Sequence, residues 1–168
     1  IKINNTIYSP WGQMVHQGFV EEGAIGLGKG VTAKVDSTRR QSACRNHTAT
    51  HLLHKALQEE LGSHVNQAGS LVAPDRLRFD FNHFKALTEA ELLAIEESVN
   101  EMVLSNAPVT ATMTTLQEAL AQGAAALFTD KYEEEAVRLV STGDLTRELC
   151  GGTHVRATGD IGLFKIIS

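Results

Sequence analysis

The run from Arg39 to Leu61 constrains this chain most. Ala49, Leu52, Leu53, Ala56, Leu57 and Leu61 recur at helical spacing and make one broad apolar face. A helix of that kind must bury its face against another layer. Asp36 or Ser37 stands where an N-cap belongs, and Gly62 where glycine ends a helix.

Around that helix the pattern is mostly strand. Residues 1–38 carry Gly12, Gly18, Gly23, Gly26, Gly28 and Gly30 between short runs such as Met14-Val15-His16 and Val31-Thr32-Ala33-Lys34-Val35. This is the pattern of hairpins in a small glycine-rich β-barrel. Two strands are expected around Ala73-Pro74-Asp75, the second with Leu77, Phe79 and Phe81 inward. Thr88 with Glu91 and Thr115 with Glu118 are capping boxes opening two further helices, the first running to about Asn106 and stopped by Pro108. Strands are expected at Val109–Met113, Ala136–Ser141, Leu145–Leu149 and Ile161–Ile167. The expected class is α+β, helices packed on a mostly antiparallel sheet, preceded by part of the glycine-rich β-barrel. The expected division is 1–38 for the partial barrel and 39–168 for the main domain.

Composition excludes several classes. The 168 residues are 42% hydrophobic and 21% charged, as in a globular domain. No apolar run is long enough for a transmembrane helix, and Ile1-Lys2-Ile3-Asn4-Asn5 does not open a signal peptide. The start without Met and the apolar final run lead us to expect a piece of a longer protein. A net charge of −5 argues against a broad nucleic-acid-coating surface but not against a local basic contact. Two cysteines without an export signal fit reduced thiols in a cytoplasmic protein.

The chemistry concentrates in two short motifs. His47 and His51 stand at i and i+4 inside the long helix, on one face and one turn apart. About a hundred residues later comes Cys150-Gly151-Gly152-Thr153-His154, whose glycines permit a turn that aims Cys150 and His154 at one point. Three imidazoles and a thiolate suit tetrahedral zinc. Either motif alone is common without metal, and without metal the same histidines can serve as general bases. His54, His64, His83, His16 and Cys44 read as core or surface residues.

The stretches Arg45–Leu53, Gln67–Val72, Leu77–Phe81, Cys150–His154 and Thr158–Ile166, in that order, closely resemble the editing domain of alanyl-tRNA synthetase. Free-standing alanyl-tRNA trans-editing proteins share this core. The resemblance runs almost continuously over residues 39–168. The threonyl-tRNA synthetase editing domain shares the His-x-x-x-His and Cys-x-x-x-His frame but typically has Pro before its last His. Thr153 at that position, with the Gln67–Val72 segment, favours the alanyl type. The resemblance implies an aminoacyl-tRNA deacylase domain of an alanine-tRNA ligase, with His47, His51, Cys150 and His154 holding Zn2+ at the catalytic centre. It implies the acceptor end of tRNA(Ala) carrying serine or glycine as substrate, and the rest of the parent synthetase as partner. The alternative readings are a non-catalytic, zinc-stapled module binding the acceptor end, or a threonyl-type editing domain.

Editing has a physical motive. One missing methyl gives a synthetic pocket only about 1–3 kcal/mol of discrimination, and an added hydroxyl is hard to reject by shape. A hydrolytic sieve that hydrogen-bonds serine's hydroxyl leaves a polar group unpaired when alanine enters. Gln67 and Ser70 are the first candidates for that polar wall; Thr48 and Thr50 are weaker ones. The amides of Gly151 and Gly152 are candidates to approach the terminal adenosine or the ester carbonyl. Arg45, Arg78, Arg147, Arg156 and Lys165 are weaker candidates for phosphate contacts.

Overall fold

The chain divides into two units, Ile1–Val35 and Asp36–Ser168. A computed structural model describes residues 1–125 and 136–167.

In the first unit β1 (Lys2–Tyr8) pairs antiparallel with β2 (Met14–Phe19). The Ser9 hydroxyl holds the connecting turn, accepting from the amides of Trp11 and Gln13 at 3.3 and 3.1 Å. Gly12 supplies the turn's left-handed φ of +78°. Residues 20–35 have no regular structure, including Val31–Val35, which was expected as strand. No ladder partner within the unit takes their backbone groups, which is what a strand requires. The regular structure of this unit is the single hairpin.

The second unit is built on α1 (Ser37–Leu61), capped by Asp36, whose side chain accepts from the Arg39 amide at 3.0 Å. Its apolar face meets α2 (Glu89–Leu104). Leu52, Ala56 and Leu57 from α1 and Ile95 and Val99 from α2 are at most 2% exposed. Burying each of the larger side chains contributes about 1.5–3 kcal/mol. The Thr88–Glu91 capping box is complete in both directions. Asn106, after the helix, takes a left-handed φ of +50°. The hairpin β3 (Gln67–Val72) and β4 (Leu77–Phe81) lays Leu77, Phe79 and Phe81 on the same core. Its register slips between Gln67 and Gly69, a bulge.

A second sheet runs β5 (Val109–Thr114), β6 (Val137–Thr142), β7 (Thr146–Leu149), antiparallel throughout, with α3 (Leu116–Ala121) packed on it through Ala119. The class is α+β with antiparallel pairing, as expected, but the pairing is spread over separate ladders instead of one sheet.

The tail departs from expectation. Thr158–Ile161 is a 3-10 turn, and residues 162–167 form no strand. Side chains of α2 take the backbone groups a ladder would have used. The Asn100 amide donates to the Phe164 carbonyl at 2.9 Å and accepts from the Phe164 N–H at 3.0 Å. Glu96 accepts from the Ile166 N–H and from Lys165 Nζ, both at 2.7 Å. A helix edge thus substitutes for a strand edge.

Candidate metal centre

Residues His47 and His51 lie one turn apart on the buried side of α1, and Cys150 and His154 lie on the segment leaving β7. The structure brings all four together: one ligand atom from each falls within 4.8 Å of every other. Cys150 Sγ stands 3.3 Å from His47 Nε2 and 3.4 Å from His154 Nε2. Tetrahedral N and S ligands of zinc stand about 3.3–3.8 Å apart, so these separations already suit the ion. The ring centroids of His47, His51 and His154 lie 4.4–5.4 Å from one another. His51 Nδ1 is buried without a hydrogen-bond partner. A buried nitrogen without a partner, on a ring that belongs to such a cluster, is what a metal ligand presents.

The segment that carries Cys150 and His154 is held from several sides. Arg138 on β6 donates through one nitrogen to the carbonyls of Cys150 and Gly152, both at 2.8 Å. Its own carbonyl accepts from the Cys150 amide at 3.0 Å. The Gly152 amide donates to Cys150 Sγ at 3.4 Å. A Cβ on Gly152 would fall inside the His47 ring, against Cε1 and Nδ1. Neither Gly151 nor Gly152 has a positive φ, so Gly152 is required for space, whereas Gly151 faces open space. Thr48 is fully buried, its hydroxyl 3.1 Å from His154 Nδ1 and accepting from the Val155 amide at 3.2 Å. The hydroxyl of Thr48, a candidate for the substrate-facing wall, is thus engaged with His154 and the Val155 amide. Thr50, also buried, donates back to the Asn46 carbonyl at 2.8 Å.

Burial dominates the electrostatics. It lowers His47 to about 4, helped by the neighbouring His51 and Arg138 and opposed by Glu148. It lowers His154 to about 2, with His51, His47 and Arg138 adding to the shift. His51 is lowered too, by burial first, against the pull of Glu148. All three rings are therefore neutral at pH 7, with lone pairs available. Burial pushes the Cys150 thiol up; the Gly152 amide and Arg138 oppose that, and Glu148 adds to it.

Two residues beside the cluster, the buried Glu148 and the half-buried Arg138, carry no motif signal in the sequence. Glu148, 6% exposed, faces His51 Nε2 at 3.4 Å and His54 Nδ1 at 3.8 Å. Its sequence signal was slight, a carboxylate in a buried strand two residues before Cys150. Arg138 gave no local signal.

Gln67 sits at the bulge of β3, and its amide donates to the Ser70 hydroxyl at 3.1 Å. The two candidates for the polar wall are thus joined to each other, and neither bonds to the four-residue cluster. Arg78 pairs with Asp80, Arg147 with Asp144, Arg156 with Asp160 and Lys165 with Glu96, while Arg45 donates to the Asp160 carbonyl at 3.1 Å. His64 and His83 bond to each other at 3.0 Å, and Cys44 is buried in the core. No helix among the described residues is long and apolar enough to cross a membrane.

Comparison with known proteins agrees with the resemblance read from the motifs. Residues 137–168 match the family described as "Threonyl and Alanyl tRNA synthetase second additional domain". The chain is 60% identical over 153 residues to an alanine-tRNA ligase of Pelotomaculum thermopropionicum, covering 91% of the chain and 17% of that protein. It is 54% identical over 157 residues to the Thermotoga maritima protein of the same name, 94% of the chain and 18% of the relative. Against the Bacillus subtilis alanine-tRNA ligase it is 51% identical over all 168 residues, 19% of that protein. The chain therefore spans less than a fifth of the length of these relatives.

Proposed function

We propose, from the premise that this chain is an alanine-tRNA ligase-type segment bearing the threonyl and alanyl second additional domain, that it is the hydrolytic editing part of such an enzyme. Its substrates are the esters of serine and glycine at the 3′ end of tRNA(Ala). The observation that carries this reading is the convergence of His47, His51, Cys150 and His154 on one point. That donor set fits Zn2+, which when bound supplies Lewis-acid polarisation of the ester carbonyl or of a water.

The chain's own residues supply the rest. Burial keeps His47, His51 and His154 unprotonated, so they bring lone pairs and no competing positive charge. Arg138 and Gly152 fix the loop that carries Cys150. The joined amide and hydroxyl of Gln67 and Ser70 form a polar pair suited to serine's hydroxyl, and left unmatched by the methyl of alanine. The reaction is water adding to the ester carbonyl, with the ribose hydroxyl leaving.

The test is deacylation of serine, glycine and alanine esters on tRNA(Ala) by this chain, with and without a zinc chelator, beside Cys150→Ala. Turnover of serine and glycine esters with alanine spared, lost on chelation and in a folded Cys150→Ala, supports editing. Four protein ligands also suit a closed structural site. Binding of the acceptor end without turnover, in this chain and in the full-length synthetase alike, overturns the enzyme reading in favour of a zinc-stapled binding module.

A further inference from the structure

Glu148 is the least explained group near the four ligands. It is a carboxylate in the middle of β7, 6% exposed, at a strand position that would ordinarily take an apolar side chain. An isolated buried carboxylate is costly, so it must be balanced by what surrounds it. Its two oxygens face different histidines: Oε2 lies 3.4 Å from His51 Nε2, and Oε1 lies 3.8 Å from His54 Nδ1. Both rings are buried on α1, three residues apart, so the carboxylate reaches from the sheet to two successive points on the helix. His54 is backed in turn by Phe79 of β4, ring centroids 5.4 Å apart.

The consequence for His51 is specific. With Nε2 turned to the carboxylate, Nδ1 is the nitrogen left over, and it is buried without a partner. An imidazole that donates its N–H to a carboxylate has its tautomer and ring orientation set, and its other nitrogen becomes a better donor to metal. His154 shows the same logic with a different partner, its Nδ1 lying 3.1 Å from the Thr48 hydroxyl and its Nε2 beside Cys150.

We propose that Glu148 is the positioning residue of the metal centre: anchored on its far side by His54, its carboxylate orients His51 and fixes Nδ1 as the ligating atom. Glu148 does not itself ligate. This inference rests on the metal reading given above, and deepens it by assigning roles to Glu148 and His54.

The test measures metal binding, independent of hydrolysis. Zn2+ affinity of the 168-residue chain is measured by competition with a chromophoric chelator, and the Co2+ complex is read by absorption, for wild type, Glu148→Gln, Glu148→Asp, His54→Gln and Thr146→Val. The expected result for Glu148→Gln is about ten- to hundredfold weaker zinc binding with an altered Co2+ ligand-field band. Glu148→Asp recovers part of both. His54→Gln, which leaves the carboxylate but loosens it, gives a smaller loss. Thr146→Val, in the same strand and with a buried hydroxyl that makes no hydrogen bond, matches wild type, which separates positioning from a general packing effect. Should Glu148→Gln fail to fold, His54→Gln decides: wild-type affinity and spectrum there overturn the proposal. Wild-type affinity and spectrum in a folded Glu148→Gln also overturn it, while leaving the metal reading intact. Absence of zinc binding by wild type removes the metal reading, and this proposal with it.

Discussion

The backbone of Gly152 lies against the imidazole of His47 with no room between them for a Cβ. The second glycine of the Cys-Gly-Gly-Thr-His run is thus a spacer fixed by an imidazole on another element. Gly152→Ala must displace the His47 ring, and the expected outcome is loss of zinc binding in a protein whose helical circular dichroism persists. Gly151→Ala, which meets nothing within 4 Å, is expected to bind zinc as wild type does. Equal affinity in the two variants would remove the steric role of Gly152.

A second prediction concerns the support of His154. If Nε2 binds metal, the ring's proton sits on Nδ1 and donates to the Thr48 hydroxyl, 3.1 Å away. Thr48→Val keeps the shape but leaves Nδ1 and the Val155 amide without their partner. A loss of about 1–3 kcal/mol in stability is expected in chemical denaturation. Zinc affinity should fall roughly tenfold, and Thr48→Ser should restore most of both.

The helices were legible because their signals are local. Asp36, Thr88 and Thr115 cap by bonding three residues ahead, and the apolar face of α1 repeats within itself. The four-residue cluster was legible because spacing and residue type alone suggest convergence. Glu148 and Arg138 were not, since their partners are fixed only when β6 and β7 meet α1 and the loop beyond. The tail illustrates the same limit. Leu163, Phe164, Ile166 and Ile167 have the composition of a strand, but Asn100 and Glu96 claim the backbone between them, and no local pattern announces that. Thr48 lies within the His-x-x-x-His motif, yet its hydroxyl contacts a ring 106 residues away.

Metal binding should release few protons. Burial lowers His47, His51 and His154 below their ordinary range, so at pH 7 all three reach the ion already neutral. The Cys150 thiol is pushed up by burial and must shed its proton. Titration calorimetry at pH 7 in buffers of different ionisation enthalpy should report about one proton released per zinc. Affinity should then rise with pH by about tenfold per unit around neutrality. A release of three or more protons would contradict neutral histidines.

Acid should free the tail before it disturbs the core. Hydrogen bonds from Lys165 and then from the Ile166 amide hold the Glu96 carboxyl below its ordinary value of 4.5. A depressed carboxyl stabilises the fold above the unfolded-state value, and that contribution is lost as pH falls through the lower folded value. The Ile166 amide resonance should therefore shift below about pH 4.5, following Glu96 protonation. In Glu96→Gln that step should be absent, with the tail less ordered already at neutral pH. An unchanged titration in the variant would show that another group controls the tail.

The distance along the chain between His51 and Cys150 has a consequence for the timing of activity. A site whose halves lie about a hundred residues apart exists only after the intervening hairpin, helices and sheet have found their places. An ion joining them shuts a very long loop, a constraint that in chain-entropy terms is worth about 4–5 kcal/mol when a covalent link makes it. On the proposed function, a half-made chain is therefore catalytically silent. An unselective esterase at that stage would strip correctly charged tRNA as readily as mischarged; here hydrolysis and selectivity can only arrive together.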